Sequence, residues 1–190
     1  MSLTAIDSNT ALIIIDLQKG IVGAPFIQPI DPVVARSRAL ADVFRRHRLP
    51  VVLVNVIGVA LGRTERSQQP LPPRPEGWTE LVSELNQQAS DIVVSKRTWG
   101  AFASTDLERR LRALNVTQVV ITGVATGTGV ESTARQAYEQ GFNVTLAVDA
   151  MTDTRSEAHD YSIAKVFPRL GETGTTQAII DLLETRVSSR

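Results

Sequence analysis

The chain has 190 residues, 43% hydrophobic and 21% charged, which is enough apolar material for one domain with a proper core. Its 20 basic and 20 acidic residues cancel, so no broad surface draws nucleic acid or an anionic membrane. There are no cysteines, which excludes disulfides, thiolate metal sites and a cysteine nucleophile. No apolar run approaches the ~20 residues that span a bilayer. The first residues lack the basic and long apolar segments of a signal peptide, so a cytoplasmic location is expected.

Thr10 to Ile15 reads as a first strand, with Asp16 at its carboxyl end. Leu17 and Gln18 follow, then the loop GIVGAPFIQP. Asp31-Pro32 predicts a helix start, with the aspartate as N-cap and the proline at the first helical position. Val34, Leu40, Ala41 and Phe44 give that helix an apolar side. Val51 to Val56 is a second buried strand. Gly58 to Gly77 is a long polar loop with four prolines and three arginines, and loops of that length are usually functional or mobile. A short helix is predicted from Trp78 to Leu85, a third strand from Asp91 to Ser95, and a helix from Thr105 to Leu114. Lys96 stands at the end of the third strand.

The stretch from Val119 to Gly141, VVITGVATGTGVESTARQAYEQG, organises the rest. Val119, Val120 and Ile121 suit a strand buried on both faces. Gly123, Gly127 and Gly129 allow a sharp turn and close approach to a ligand. Val130 to Gln140 has helical character, with Gly141 at the C-terminal cap position. A helix beginning just past a strand aims free N–H groups into the turn, where they favour an anion or a developing oxyanion. Asn143 to Val148 is a fifth strand ending at Asp149, Ser156 to Phe167 a helix, and Leu170 to Thr173 a short sixth strand. Thr175 caps a last helix with Ala178, Ile179, Leu182 and Leu183 as its buried stripe.

Strands alternating with helices predict a single α/β domain over 1–190, with a parallel sheet covered on both faces. Ligands in such sheets bind beyond the carboxyl ends of the strands, where Asp16, Lys96 and the Gly123 to Gly129 turn all fall. Taken alone, Asp16 reads equally as a loop-starting aspartate bonded to backbone groups, and Lys96 as a solvated lysine.

Three blocks in the same order carry a resemblance: DLQ at Asp16, SKRTWGAFASTDLERRL around Lys96, and GVATGTGVESTARQA at the central turn. Together they resemble the isochorismatase-like hydrolases, the cysteine hydrolase superfamily. The resemblance spans nearly the whole chain. It implies a Rossmann-like three-layer sandwich with a six-stranded parallel sheet in the order 3-2-1-4-5-6. It further implies a catalytic group of Asp16, Lys96 and the position of Gly129, where the cysteine-dependent members carry their nucleophile. The isochorismatases of the same superfamily resemble this chain in having glycine there. They protonate a vinyl ether and let water complete the hydrolysis, which makes Asp16 the candidate acid. They also carry a histidine where this chain has Gly127. The resemblance implies a pocket bordered by Phe26, Trp78, Trp99, Ala125, Thr126 and Thr128, and a cis peptide between Val124 and Ala125. It implies a homodimer or homotetramer acting on a small molecule.

Thr126 and Thr128 carry hydroxyls, but turn and cap hydrogen bonds are their commoner use. Arg63, Arg66, Arg74 and Arg97 are candidates to meet a carboxylate, though surface arginines are usually solvated. The region after the second strand has no histidine. His47 reads as solvated and His159 as structural, so neither a metal site nor a cofactor is expected. Three other readings stay open. The chain is a binding protein or pseudoenzyme that lost the nucleophile, or glycine replaces a natural cysteine by engineering. A third is a dinucleotide-binding protein, since Gly127-Thr128-Gly129 with Asp149 about 20 residues on imitates a Rossmann fingerprint. Ser132 replaces the third glycine of that fingerprint, and the motif follows the fourth strand instead of the first.

Overall fold

The structure, a computed structural model, describes residues 3–65 and 73–187. Six parallel strands form one sheet: β1 (Thr10–Ile15), β2 (Val51–Val56), β3 (Ile92–Lys96), β4 (Gln118–Val124), β5 (Asn143–Thr152) and β6 (Glu172–Gly174). Their spatial order is β3-β2-β1-β4-β5-β6. The predicted order 3-2-1-4-5-6 is therefore the order found.

Alternation along β1 explains the three layers. Ala11, Ile13 and Ile15 face one side of the sheet, Leu12 and Ile14 the other. The first side packs on Leu107 and Leu111 of α3 (Leu107–Ala113), on Ala134 and Ala137 of α4 (Glu131–Glu139), and on Phe167 of α6 (Phe167–Leu170). The second packs on Val33, Leu40 and Phe44 of α2 (Ile30–Arg46), and on Ile179 and Leu183 of α7 (Thr176–Val187). All six β1 residues are buried, so strand polarity cannot show which face is which; both are core. Ile13→Ala removes apolar volume from the middle of this packing and costs about 2–5 kcal/mol.

The sheet also shapes the central turn. Gly123 at the end of β4 adopts φ 106°, and a Cβ there would lie 2.1 Å from the Ile15 carbonyl oxygen. Only glycine lets β4 bend this closely over β1.

Several elements depart from expectation. Helix α2 begins at Ile30 with Pro29 flanking it, so Asp31 does not cap. It lies inside the first turn, where its charge complements the helix dipole, as Arg45 and Arg46 do at the other end. The predicted loop after Gln18 contains a short helix, α1 (Lys19–Val22). The predicted helix from Trp78 to Leu85 is instead a turn, an antiparallel bridge from Leu81 to Gln18, and a 3₁₀ turn, Ser83–Leu85. Its backbone is drawn into pairing with residues 17–20: Lys19 N–H donates to Glu80 O, Gly20 N–H to Trp78 O, and Val82 N–H to Leu17 O.

Strand β5 runs through Asp149 to Thr152, because its register against β4 shifts between Ile121 and Gly123 and pairing then resumes. The helix expected from Ser156 to Phe167 divides into α5 (Ser156–Tyr161), a π-helical turn (Ser162–Val166) and α6. Helix α3 is shorter than predicted, and β6 lies slightly later. His47 is not solvated: its side chain is 17% exposed and its Nε2 is 3.8 Å from a Glu184 carboxylate oxygen. Thr175 does cap α7, accepting at Oγ1 from Ala178 N–H.

Candidate active site

In this strand order the topology reverses between β1 and β4, and sheets of this kind bind ligands beyond the carboxyl edge at such a point. Asp16 follows β1 directly and takes a left-handed conformation, φ 54°. Aspartate tolerates that region better than most side chains. Its backbone is fixed by donation from its N–H to Val54 O and from Gln18 N–H to its own carbonyl.

Lys96, the last residue of β3, is 2% exposed and donates from Nζ to Asp16 Oδ2 at 2.7 Å. Two main-chain carbonyls complete its cradle, Trp99 O at 2.9 Å and Thr98 O at 3.3 Å. A buried ammonium therefore finds one carboxylate and two carbonyl dipoles. The Asp16 carboxylate is lopsided: Oδ2 meets Lys96, while buried Oδ1 has no hydrogen-bond partner among the described residues. Burial pushes the Asp16 pKa up from 3.8 to about 6, against the opposing charge and hydrogen bond of Lys96.

The third part is the turn after β4. The peptide Val124–Ala125 is cis, and the chain passes through a π-helical turn (Thr126–Val130) into α4. Gly129 is buried, and a Cβ built on it would lie 3.3 Å from Asp16 Oδ2. Asp16, Lys96 and Gly129 thus converge at one point.

A surrounding layer fixes these groups. Thr133 Oγ1 donates to Gly129 O and accepts from Ala101 N–H, while Phe102 N–H donates to Gln136 Oε1. Helix α4 therefore holds both the turn and the loop whose carbonyls bind Lys96. Beneath the turn, Asp153 is buried and accepts from Gly127 N–H at Oδ2 and from Arg155 N–H at Oδ1. Buried His159 Nδ1 is 2.9 Å from Thr126 Oγ1.

One of the N–H groups of the turn, that of Gly127, is already satisfied by a side chain of the protein itself, Asp153. Among the described residues, no group of three or more His, Cys, Asp or Glu is placed to hold a metal ion, and no helix is long and apolar enough to cross a membrane.

The other predicted residues differ in their surroundings. Phe26 is half-buried against the α2 side of the core. Trp78 lies against Gly20, with the Arg74 guanidinium 4.1 Å from its ring centre. Trp99 is 68% exposed and reaches Lys96 through its carbonyl. Thr126 is buried, whereas Ala125 and Thr128 are half-buried. Arg97 packs its side chain over Gly58, and Arg74 donates to Gly58 O at 3.4 Å. Arg63 is exposed, and Arg66 lies outside the described residues. Asp153 and Gln136 had no sequence signal, because their use depends on contacts with distant turns.

The fold and this carboxylate–lysine pair at its switch point define a doubly wound α/β protein with a polar site between β1 and β4. The Isochorismatase domain family matches residues 10–178, and the chain belongs to that family of hydrolases. Its relatives include the isochorismatase family protein YecD of Escherichia coli O157:H7, 40% identical over 184 residues, with 92% of this chain and 96% of that protein covered. Another is the isochorismatase family protein YwoC of Bacillus subtilis (strain 168), 39% identical over 182 residues, covering 91% and 93%. An isochorismatase family protein from Burkholderia thailandensis superposes with a TM-score of 0.90 at 37% identity, covering 96% of this chain and 100% of that one.

Proposed function

We propose that the protein is a small-molecule hydrolase that works without a cysteine nucleophile, with Asp16 as the acid and Lys96 as its charge partner. The observation that carries this reading is the buried Asp16: one oxygen is bound to Lys96, the other has no partner among the described residues, and its pKa is near 6. A group with that pKa donates a proton readily near neutral pH. Gly129 fits the same reading, since it stands against the Asp16 carboxylate and brings no nucleophile of its own.

The reaction class is hydrolysis of a vinyl ether or a related acid-labile bond. Asp16 gives its proton to the double-bond carbon, and the electrons of the ether oxygen form an oxocarbenium ion. The carboxylate left behind is held by the Lys96 ammonium. Water adds to the cation and returns a proton to Asp16, and the hemiketal collapses to a carbonyl and an alcohol. Phe26, Trp78, Trp99, Ala125, Thr126 and Thr128 border the substrate in this reading. A cytoplasmic homodimer or homotetramer without a cofactor belongs to it.

The test is a hydrolase screen of the wild type and Asp16→Asn with isochorismate, amides and carbamoyl compounds. Turnover of a vinyl ether that Asp16→Asn abolishes supports the reading. Turnover that survives Asp16→Asn removes the proposed acid. Absence of turnover from all three classes favours a non-catalytic binding protein on this fold.

A further inference from the structure

Gln18 is fully buried two residues past Asp16, and its side-chain amide is wholly engaged with backbone. Oε1 accepts from Val56 N–H at 2.7 Å. Nε2 donates to Val56 O at 3.2 Å and to Trp78 O at 3.1 Å. Val56 ends β2, and Trp78 begins the return toward the 3₁₀ turn. One amide therefore ties together the two ends of a long excursion in the chain. Only a primary amide presents one acceptor and two donors at that length.

Other contacts reinforce the same neck. Asn55 donates from Nδ2 to Thr79 O and accepts at Oδ1 from Ser95 Oγ. Gly20 N–H donates to Trp78 O, and Lys19 pairs with Glu80. Trp78 lies where a side chain on residue 20 would be: a Cβ on Gly20 would come within 2.1 Å of its ring. Gln18 thus fixes the carbonyl of Trp78, and Gly20 makes room for its ring.

We propose that Gln18 is a positioning residue that clasps the neck between Val56 and Trp78 and so sets the wall of the substrate pocket beside Asp16. Its amide is hydrogen-bonded to Val56 and Trp78 and not to the carboxylate or Lys96, so it governs substrate affinity and leaves the acid step alone. The part concerning substrate rests on the hydrolase reading above, with Trp78 at the pocket; the clasp itself does not.

The experiment compares the wild type, Gln18→Met and Gln18→Glu in two arms. The first is amide hydrogen exchange. In Gln18→Met, the amides of Val56 and Gly20 exchange at least about tenfold faster, while those of β4 and α4 are unchanged. Gln18→Glu keeps the acceptor, so Val56 stays protected and only the Gly20 side loosens. Unchanged exchange at both amides overturns the clasp, as does acceleration spread evenly through β4.

The second arm is steady-state kinetics on whichever compound the hydrolase screen turns over. Gln18→Met raises KM about tenfold or more, with the smaller effect on kcat and the same acid-limb pKa. A fall in kcat at constant KM, or a displaced limb, overturns the positioning role. If the screen finds no turnover, the hydrolase reading fails by that result while hydrogen exchange still decides the clasp.

Discussion

A Cβ placed on Gly129 stands 3.3 Å from Asp16 Oδ2, 3.0 Å from Ile15 Cγ2 and 3.1 Å from the Val124 carbonyl oxygen. The glycine therefore lies against the proposed acid, and its neighbours leave little slack. Gly129→Ala requires them to move by a few tenths of an ångström, and two of the three belong to the packed sheet or to backbone. The expected destabilisation is about 1–3 kcal/mol, measured by chemical denaturation.

Gly129→Cys tests whether the environment still suits a thiolate. The new thiol starts from a Cβ 3.3 Å from Asp16 Oδ2, the oxygen that Lys96 holds, at the turn entering α4; the ammonium and the helix end favour the thiolate, and the Asp16 carboxyl is the base to take its proton. It is expected to react with iodoacetamide faster than a cysteine introduced at exposed Glu139. Equal rates exclude an activating environment.

The pH dependence of turnover follows from Asp16. The acid form is the active one, so kcat/KM is high below about pH 6 and falls above it, with the limb at the Asp16 pKa of about 6. Asp16→Asn loses about 10²–10⁴-fold in rate. A profile rising through pH 6 would show that the carboxylate form works.

Lys96 currently pulls the Asp16 pKa down, against burial. In Lys96→Met that opposing effect is gone, so the limb moves to higher pH. Removing the ammonium also takes the partner from the anion left after proton transfer, so kcat falls. A limb that stays in place contradicts the pairing seen between Nζ and Oδ2.

Stability carries the same signature. The Asp16 pKa is raised in the folded state, from 3.8 to about 6. Between those values the native protein binds more protons than the unfolded chain, so stability falls as pH rises and levels off above the window. The total change is at most about 3 kcal/mol. Denaturation midpoints across pH 4–7 show this slope in the wild type, and Asp16→Asn lacks it.

Much of the fold was legible because its signals are local. The strand cores of β1, β2 and β4 show as runs of buried apolar residues, and the Thr175 cap bonds as its position suggests. The strand order and the cis peptide came from resemblance, since periodicity carries no information about which strands are neighbours. Asp16, Lys96 and the turn that holds Gly129 fall at strand ends, but it was the three-block resemblance that singled them out. Gln18 was visible as part of a block, but its three backbone contacts join segments 38 and 60 residues away. The region from Trp78 to Leu85 misled for the same reason: it reads as a short helix by itself, while pairing with residues 17–20 decided the outcome.

The two hydrogen bonds of the Thr133 hydroxyl have a mechanical consequence. Its hydroxyl holds the carbonyl of Gly129 and the amide of Ala101 at once. A rigid shift of α4 then carries the glycine and the lysine's cradle in the same direction, as common-mode motion, and their separation is preserved. Substitutions on the outer side of α4, at Arg135, Tyr138 or Glu139, can displace the helix without changing the distance between the glycine and the loop that cradles the lysine. Thr133→Val removes that linkage and makes the site sensitive to every change on the helix surface.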